Sequence, residues 1–320
     1  MRAVKKILDK LNGLHYRQEY LCLARESFQQ PLHAYIVNDN HIIKDITNEH
    51  LFIGYCPLVF VLTGISLAEN IHVIFSQQLL QPNVKFVQKD AIAFLQLKKT
   101  RQQQAGEHSI SYYEGSNGKH HFQPAFHQWI SSINNRLYNK KPGNVFLHDN
   151  LYKQVQIAYA IPRNISLITV GDDRLFNLFP TDLHGQCTAD HYIISLRTGG
   201  KAAAQVEAAG KLVISQVNVS TYKAAYALGK NHMQELKPVD KFTFSNLLSV
   251  SFQWPLPQDI FSYKELILED SFVHGIHTIF LFKTASPQQI KPATATLAHI
   301  HNCYASWRHK NGLPGNYLLR

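Results

Sequence analysis

The sequence predicts a mainly β protein with some helices, of the α+β class. Apolar runs rich in β-branched residues alternate with polar residues or stop at turn residues, which is the pattern of short strands. A few segments instead show helical spacing or an Ala-rich composition. With 320 residues and 45% hydrophobic content, the chain can form a packed core over one or two domains.

The first part of the chain is predicted to be strand-rich. We expect one helix, Phe126–Tyr138, which places five apolar residues on one face, and a turn at residues 115–118 (Gly-Ser-Asn-Gly). Lys140–Gly143 is the predicted linker, so residues 1–143 form an accessory domain. The predicted strands are Leu32–Val37, a pair of short strands within Leu51–Leu62, Ile71–Phe75, Ala91–Leu97 and Ser109–Tyr113.

The second part of the chain is predicted to span residues 144–288, followed by a helix and tail over residues 289–320. Asn150 is the expected cap of the first helix. The predicted strands are Ile165–Val170, ending in a turn at Gly171–Asp173, then Tyr192–Leu196, Leu212–Val217, Ser262–Asp270 and Val273–Lys283. The predicted helices are Leu151–Tyr159, Ala202–Ala209, a segment closed by Gly229, and Pro292–His309; Asn177–Gly185 is a predicted polar loop.

The junction Arg197–Lys201 is the segment whose sequence most clearly indicates a binding site. A strand there runs through Gly199 and Gly200 into a helix that starts near Lys201. The first amides of a helix lack partners and carry the positive end of its dipole, so an anion can bind there. The alternative is an ordinary turn with a solvated lysine. A Walker loop and a Rossmann fingerprint are both excluded by the glycine spacing.

Composition narrows the function classes. The net charge of +10 suits an anionic ligand, but the 32 Lys and Arg residues form no dense cluster of the kind that binds nucleic acid. Cys22, Cys56, Cys187 and Cys303 lack zinc or redox spacing and are expected to be free thiols. No signal peptide is indicated, so a cytoplasmic location is expected.

Two patterns are set aside. Leu51–Ala68 carries no charge, but its glycines, proline and β-branched residues favour buried strands over a membrane span. Neighbouring histidines His120 and His121 point to opposite sides of the backbone, so with His127 they predict an exposed polar loop and no metal site.

The succession of elements from about residue 155 to 284 resembles the flavin reductase-like family, the FMN-binding split β-barrel. The strand Ile165–Val170, the loop Phe179–Asp182, the strand Tyr192–Leu196, the turn Gly200–Ala202 and the late strand His274–Phe280 follow in the family's order. The resemblance implies a split β-barrel preceded by the accessory domain, and a homodimer. Gly200 and Ala202 replace the hydroxyls of the family's S-x-T turn, and Ile276 replaces its acid.

The resemblance also implies the positions of a cofactor, which is FMN or alternatively FAD. Its phosphate would lie at Gly199, Gly200 and Lys201, beside Arg197. Its ring would lie over the Asn177–Gly185 loop, with Lys230 as the cation near the reduced flavin. The loop residues implied are Asn177, Pro180, Thr181, Asp182, Leu183 and His184, with Asn231 as a further contact; the catalytic candidates are His232 and His277. For both histidines a structural role is the alternative.

The implied function is hydride transfer between NAD(P)H and flavin, with flavin and the nicotinamide nucleotide as partners. A non-catalytic flavin-binding module is the main alternative, since the S-x-T hydroxyls are absent. The same module could also hold another cofactor such as haem, because two histidines lie on predicted strands. No metal site is expected.

Overall fold

The computed structural model describes residues 11–64, 68–138, 145–172, 174–292, 295–313 and 315–318. In the first half the strands are β1 (Tyr20–Ala24), β2 (His33–Asn38), β3 (His41–Asp45), β4 (His50–Tyr55), β5 (Leu58–Thr63), β6 (Asn70–Ser76), β7 (Ala93–Ala105) and β8 (His108–His120). In the second half they are β9 (Arg163–Asn164), β10 (Ser166–Gly171), β11 (Leu175–Thr181), β12 (His184–Gln186), β13 (His191–Arg197), β14 (Lys211–Val217), β15 (Lys237–Pro238), β16 (Phe244–Leu248), β17 (Pro255–Pro257), β18 (Ile260–His274), β19 (His277–Gln289) and β20 (Leu297–His301). The α-helices are α1 (Ala125–Tyr138), α2 (Leu151–Ala158), α3 (Lys201–Ala209), α4 (Tyr222–Leu228) and α5 (Asn302–Lys310). The α+β class dominated by strands is therefore confirmed.

The chain divides into two compact units. Among the described residues, unit 1 contains residues up to 21, residues 28–162 and residues from 300 onward, and unit 2 contains residues 22–27 and 163–299. The boundaries predicted from the sequence, 143/144 and 288/289, are not those of the two units, so the division into three parts stays a prediction. The predicted linker Lys140–Gly143 lies outside the described residues.

Unit 1 contains an antiparallel sheet with the strand order β3-β2-β6-β7-β8-β5-β4. The uncharged run after Leu51 forms β4 and β5, which pair with each other, and every residue from Leu58 to Leu62 is buried. Burial of these strands within unit 1 accounts for the apolar composition of the run. Residues 65–67 of the run lie outside the described part. Across the described residues, no helix has the length and apolarity needed to span a bilayer.

The turn predicted at residues 115–118 is wrong, because these residues continue strand β8. Their glycines instead permit a close helix contact. A Cβ atom on Gly118 would lie 2.8 Å from the Cγ atom of Gln154, and one on Gly115 would overlap the amide oxygen of the same side chain. Helix α2 can approach the strand only where side chains are missing.

Two more expectations in unit 1 need correction. Asn150 precedes α2 but does not cap it, since its side chain bonds both backbone groups of Gly118, with 2.8 Å from Nδ2 to the carbonyl oxygen. The three histidines do not share one exposed loop either. His120 is buried, at 1% exposure, with Nε2 2.9 Å from Oε1 of Gln156, and burial lowers the pKa of His120 to about 4. Among the described residues, no group of histidine, cysteine and acidic side chains could hold a metal ion.

The helix predicted over Pro292–His309 is only partly correct. Leu297–His301 forms strand β20, and helix α5 begins at Asn302. The helix starts there because the His301 ring nitrogen Nδ1 accepts the backbone N–H of Cys303 at 3.0 Å, in the manner of an N-cap. Leu297 and Ile300 lie three apart, which is a helical spacing, but β20 is buried on both faces and so accepts apolar residues at either spacing.

Unit 2 is built on an antiparallel sheet with the strand order β12-β13-β19-β18-β14-β10-β11-β15. Its described strands do not close into a barrel, so the split barrel stays a prediction. Helix α3 covers one face of the sheet through Ala202, Ala203 and Val206, which join a buried cluster with Ile168, Phe179 and Phe280. The Ala-rich sequence of α3 therefore serves close packing as well as helix formation.

Candidate functional site

The junction between β13 and α3 has the backbone that its sequence predicts. Gly199 has a φ of +73°, and Gly200 is extended, with φ −79° and ψ 149°. Gly200 donates to the carbonyl of Arg197 at 3.1 Å, and the amide of Ala204 donates to the carbonyl of Gly200 at 3.3 Å. Gly200 is the N-cap of α3 and has no side chain to bond the amides of the first turn. These amides are therefore available to an anion.

Gly200 also permits a close backbone approach. A Cβ atom there would lie 3.0 Å from the Arg197 carbonyl oxygen and 3.7 Å from the Met233 sulfur. Met233 ends a short 3-10 helix, Gly229–Met233, which follows α4. This 3-10 helix thus packs beside the start of α3, and its residues include the predicted contacts Lys230 and Asn231.

Three exposed cations belong to these two segments: Arg197, Lys201 and Lys230. The Nζ atom of Lys201 lies 2.5 Å from Oε1 of Glu235, and the two side chains are 51% and 71% exposed. An ion pair this exposed contributes little to stability, so an anionic ligand can replace the glutamate at small cost.

The loop predicted over Asn177–Gly185 is wrong for most of its length. Asn177–Thr181 belongs to β11, Asp182 and Leu183 form the connection, and His184 begins β12. The strand was not predicted because Asn177 and Thr181 are polar residues of the kind found in loops, yet both side chains are buried. A predicted ring-binding loop is therefore a buried strand with a short connection at its end.

Asn177 and Asn231 hold the 3-10 helix in place. The Nδ2 group of Asn177 donates to Oε1 of Gln205 at 2.7 Å and to the carbonyl of Asn231 at 3.0 Å. In return, Nδ2 of Asn231 donates to the carbonyl of Leu178 at 2.8 Å. Both asparagines are buried, so they position β11, α3 and the 3-10 helix relative to one another.

His232 is tied to the same strand. Its Nε2 lies 2.7 Å from the carbonyl oxygen of Pro180, so Nε2 carries the hydrogen. Its ring lies 4.8 Å from that of Phe179, between centroids. Burial lowers the pKa of His232, against the hydrogen bond to Pro180 and the charge of Asp182. The imidazole is therefore neutral at pH 7.

His277 lies at the base of the junction. It pairs with Arg197 across β13 and β19 and is 1% exposed. Burial lowers the pKa of His277 to about 4, the neighbouring His274 and Arg197 act in the same direction, and Asp182 opposes them. His277 is neutral near pH 7 and is not a source of positive charge.

His184 is also neutral and held at both ring nitrogens. Its Nδ1 lies 2.7 Å from the hydroxyl of Tyr192 and its Nε2 lies 3.1 Å from the carbonyl of Asn164. Burial lowers the pKa of His184 to about 4. Leu183 is buried too, and its carbonyl accepts the amide of Ser195 at 2.9 Å. Both residues fix the connection between β11 and β12.

Asp182 bonds a histidine that sequence reasoning missed. Its Oδ2 lies 2.9 Å from Nδ1 of His299, and the side chains are 20% and 16% exposed. Burial disfavours the charged form of His299, but the hydrogen bond and the charge of Asp182 outweigh it and raise its pKa to about 9. His299 is therefore a partly buried cation at pH 7. It was missed because it lies 117 positions from Asp182, inside a segment predicted to be helical.

A separate cavity of about 410 Å³ lies in unit 2, lined mainly by polar residues of β14, β18 and β19. Gln216, Lys264 and Gln288 are among its lining residues, and Oε1 of Gln216 accepts the Ser262 hydroxyl at 2.9 Å. None of the predicted cofactor-binding or catalytic residues lines this cavity.

The comparisons with known proteins find only distant structural similarity. No family model and no curated protein matches the sequence. An NADH:FAD oxidoreductase of Streptomyces globisporus C-1027 is 16% identical with a TM-score of 0.41, over 49% of this chain and 94% of that chain. The flavin reductase component of a bacterial two-component tryptophan halogenase is 14% identical with a TM-score of 0.40, over 46% and 91%. An FMN-binding protein from Thermus thermophilus is 18% identical with a TM-score of 0.36, over 40% and 72%. Scores this low decide neither the fold nor the function of this chain.

Proposed function

We propose that this chain binds FMN, with FAD as the alternative flavin, and transfers hydride between NAD(P)H and the flavin. The observation that carries the proposal is the start of α3, where Gly199 and Gly200 present the helix amides beside Lys201. Amides and an ammonium are the donors that a phosphate ester prefers. The donor set therefore fits the phosphate of a flavin nucleotide.

The flavin would supply the hydride chemistry, because its ring accepts and returns two electrons. The chain's own residues would orient the flavin and supply positive charge beside it. Lys201 and the α3 amides hold the phosphate, and Lys230 contributes positive charge from the neighbouring 3-10 helix. Asn177 and Asn231 keep that helix against β11 and α3, and Asp182 lies at the end of β11 with His299 as its partner.

The phosphate assignment is tested by reversing the charge of Lys201. Lys201→Glu removes an attraction and adds a repulsion at the start of α3, so the dissociation constant for FMN should rise about tenfold or more, about 1.4 kcal/mol. Riboflavin, which has no phosphate, should bind both proteins equally. Titration of flavin fluorescence measures the constants. Equal FMN affinity of the two proteins would remove Lys201 from the site.

Lys283→Glu is the matched control. Lys283 pairs with His191 at one end of β13 and β19, whereas Arg197 pairs with His277 at the other end. At about 3.4 Å per residue the two ends lie roughly 20 Å apart. The same change of charge there should leave FMN affinity within about twofold, because exposed charges beyond a Debye length of about 10 Å are largely screened.

The second candidate is a flavin-binding module without turnover. Gly200 and Ala202 stand where the family has hydroxyls, which reduces the number of side-chain donors. Oxidation of NADH or NADPH with added FMN distinguishes the two, since a binder would take up flavin without consuming the nicotinamide. The visible spectrum also distinguishes flavin from haem. Homodimer formation, expected from the resemblance, is measured by light scattering of the purified chain.

A further inference from the structure

A chain of side-chain hydrogen bonds in unit 2 joins four separate segments. The Sγ–H of Cys22 donates to the phenol oxygen of Tyr226 at 3.1 Å. That phenol is hydrogen-bonded to Nε2 of His299, whose Nδ1 lies 2.9 Å from Oδ2 of Asp182. The four residues come from β1, α4, β20 and the connection after β11. Such a chain connects the predicted site at Asp182 to a half-buried tyrosine.

Hydrogen positions follow from what each group can do. A carboxylate only accepts, so Nδ1 of His299 carries a hydrogen and donates it to Asp182. The other nitrogen, Nε2, then either donates to the Tyr226 oxygen as part of an imidazolium or accepts the phenol hydrogen as part of a neutral ring. The imidazolium state therefore carries one proton more than the neutral state, and the Tyr226 oxygen changes from acceptor to donor between them, so the two groups are coupled as they titrate.

The surroundings favour the charged form of His299. Burial opposes it, but Asp182 raises the pKa of His299 to about 9, with Cys22 acting in the same direction. Arg163 is its neighbour across β9 and β20. The charge of Asp182 also acts on three other imidazoles, but burial lowers the pKa of each and keeps it neutral: His184, His232 and His277. His299 is thus the imidazolium that balances Asp182.

We propose that Tyr226 is the proton donor of the site. His299 returns a proton to Tyr226 after each transfer, and Asp182 holds His299 in position. This inference rests on the proposed function, whose overall reaction consumes one proton with each hydride. The ligand that takes the proton has a conjugated carbonyl or imine, as the flavin ring has. Tyr226 lies on α4, which packs on β11 and runs directly into the 3-10 helix beside the start of α3.

The proton balance closes with groups in the chain and solvent. When bound, the flavin would be reduced by a hydride, one proton with two electrons, from the nicotinamide C–H bond, and the nicotinamide would be oxidised. The Tyr226 O–H bond breaks to supply the additional proton to the reduced ring. The Nε2–H of His299 then moves to the phenolate oxygen, and a solvent proton restores His299.

The first test uses the protein without flavin and follows isotope-labelled histidine and tyrosine by NMR. If the proton is shared, the phenol signal of Tyr226 changes at the same pH as the imidazole signal of His299, near the pKa of about 9. Asp182→Asn should lower that midpoint for both signals together. The proposal would be overturned if Tyr226 and His299 titrated with different midpoints, or if Asp182→Asn left the titration of the Tyr226 signal unchanged.

The second test measures reduction of bound flavin by NADH in a single turnover. Tyr226→Phe should slow this step about 100-fold, the usual contribution of a general acid, and abolish its solvent deuterium isotope effect. Its FMN affinity should stay within about threefold of the wild-type value, a change below about 0.7 kcal/mol. His299→Gln, which still bonds Asp182 but supplies no proton, should lose the isotope effect while keeping FMN affinity.

Tyr222→Phe is the control, because Tyr222 is a half-buried tyrosine on the same helix, one turn away. It should reduce flavin at the wild-type rate. An unchanged rate and isotope effect in Tyr226→Phe would overturn the inference and leave the proposed function intact. If the wild-type protein binds no flavin, the proposed function fails, and the NMR midpoints alone decide whether Tyr226 and His299 share a proton.

Discussion

The ion pair between Asp182 and His299 makes the stability of unit 2 depend on alkaline pH. His299 has a pKa of about 9 in the folded chain and an ordinary value of 6.5. Because the folded state binds this proton more tightly, the added stability is complete below about pH 6.5 and is lost as the pH rises to about 9. At about 1.4 kcal/mol per pKa unit, the difference amounts to about 3 kcal/mol.

Urea unfolding followed by tryptophan fluorescence measures this loss. Trp254 is buried in unit 2, whereas Trp129 and Trp307 belong to unit 1, so a chain with both of those changed to phenylalanine reports unit 2 alone. The free energy of unfolding should fall by about 3 kcal/mol between pH 6.5 and pH 9. Asp182→Asn should be less stable at pH 6.5 and should show little further loss at pH 9.

Glu269→Gln is the control for the loss of one carboxylate beside a histidine. Glu269 lies 3.0 Å from His191 but is 38% exposed, so its removal should leave the alkaline dependence unchanged. A wild-type free energy that is equal at pH 6.5 and pH 9 would refute the assignment of His299 as a cation paired with Asp182.

Three further predictions concern single residues. Gly199→Ala should destabilise unit 2 by about 1 kcal/mol, because φ is +73° there, and urea unfolding measures the change. Gly118→Ala should destabilise unit 1 by about 1–3 kcal/mol through the contact with Gln154, whereas Gly229→Ala, where φ is −56° and no atom lies within 4 Å of the added Cβ atom, should change stability little. His277→Gln should make unit 2 less sensitive to acid, because neutral His277 loses its stabilising effect as the pH falls from 6.5 to about 4; equal acid midpoints would contradict this.

Local sequence was sufficient where neighbouring residues determine the backbone. Strands β4, β5, β10 and β13 and the glycine junction before α3 were predicted because β-branched runs, turn residues and glycine act over a few positions. Predictions from local patterns were wrong where the conformation of a residue depends on a partner that is distant in the sequence. Gly115 and Gly118 look like turn residues, but they lie in a strand that pairs with β7, and Gln154 packs against them.

The sequence by itself determined the α+β class and the glycine-pair junction at the start of α3, since the backbone of a strand, a glycine pair and a helix start is set by contiguous residues. Only the tertiary structure decided the roles of the polar side chains. Asn177 and Asn231 bond across 54 positions, and Asp182 meets His299 across 117. Burial then decides which imidazoles are charged, because a buried histidine keeps its proton only beside a carboxylate. Neither the distance between such residues nor their solvent exposure can be read from the order of amino acids.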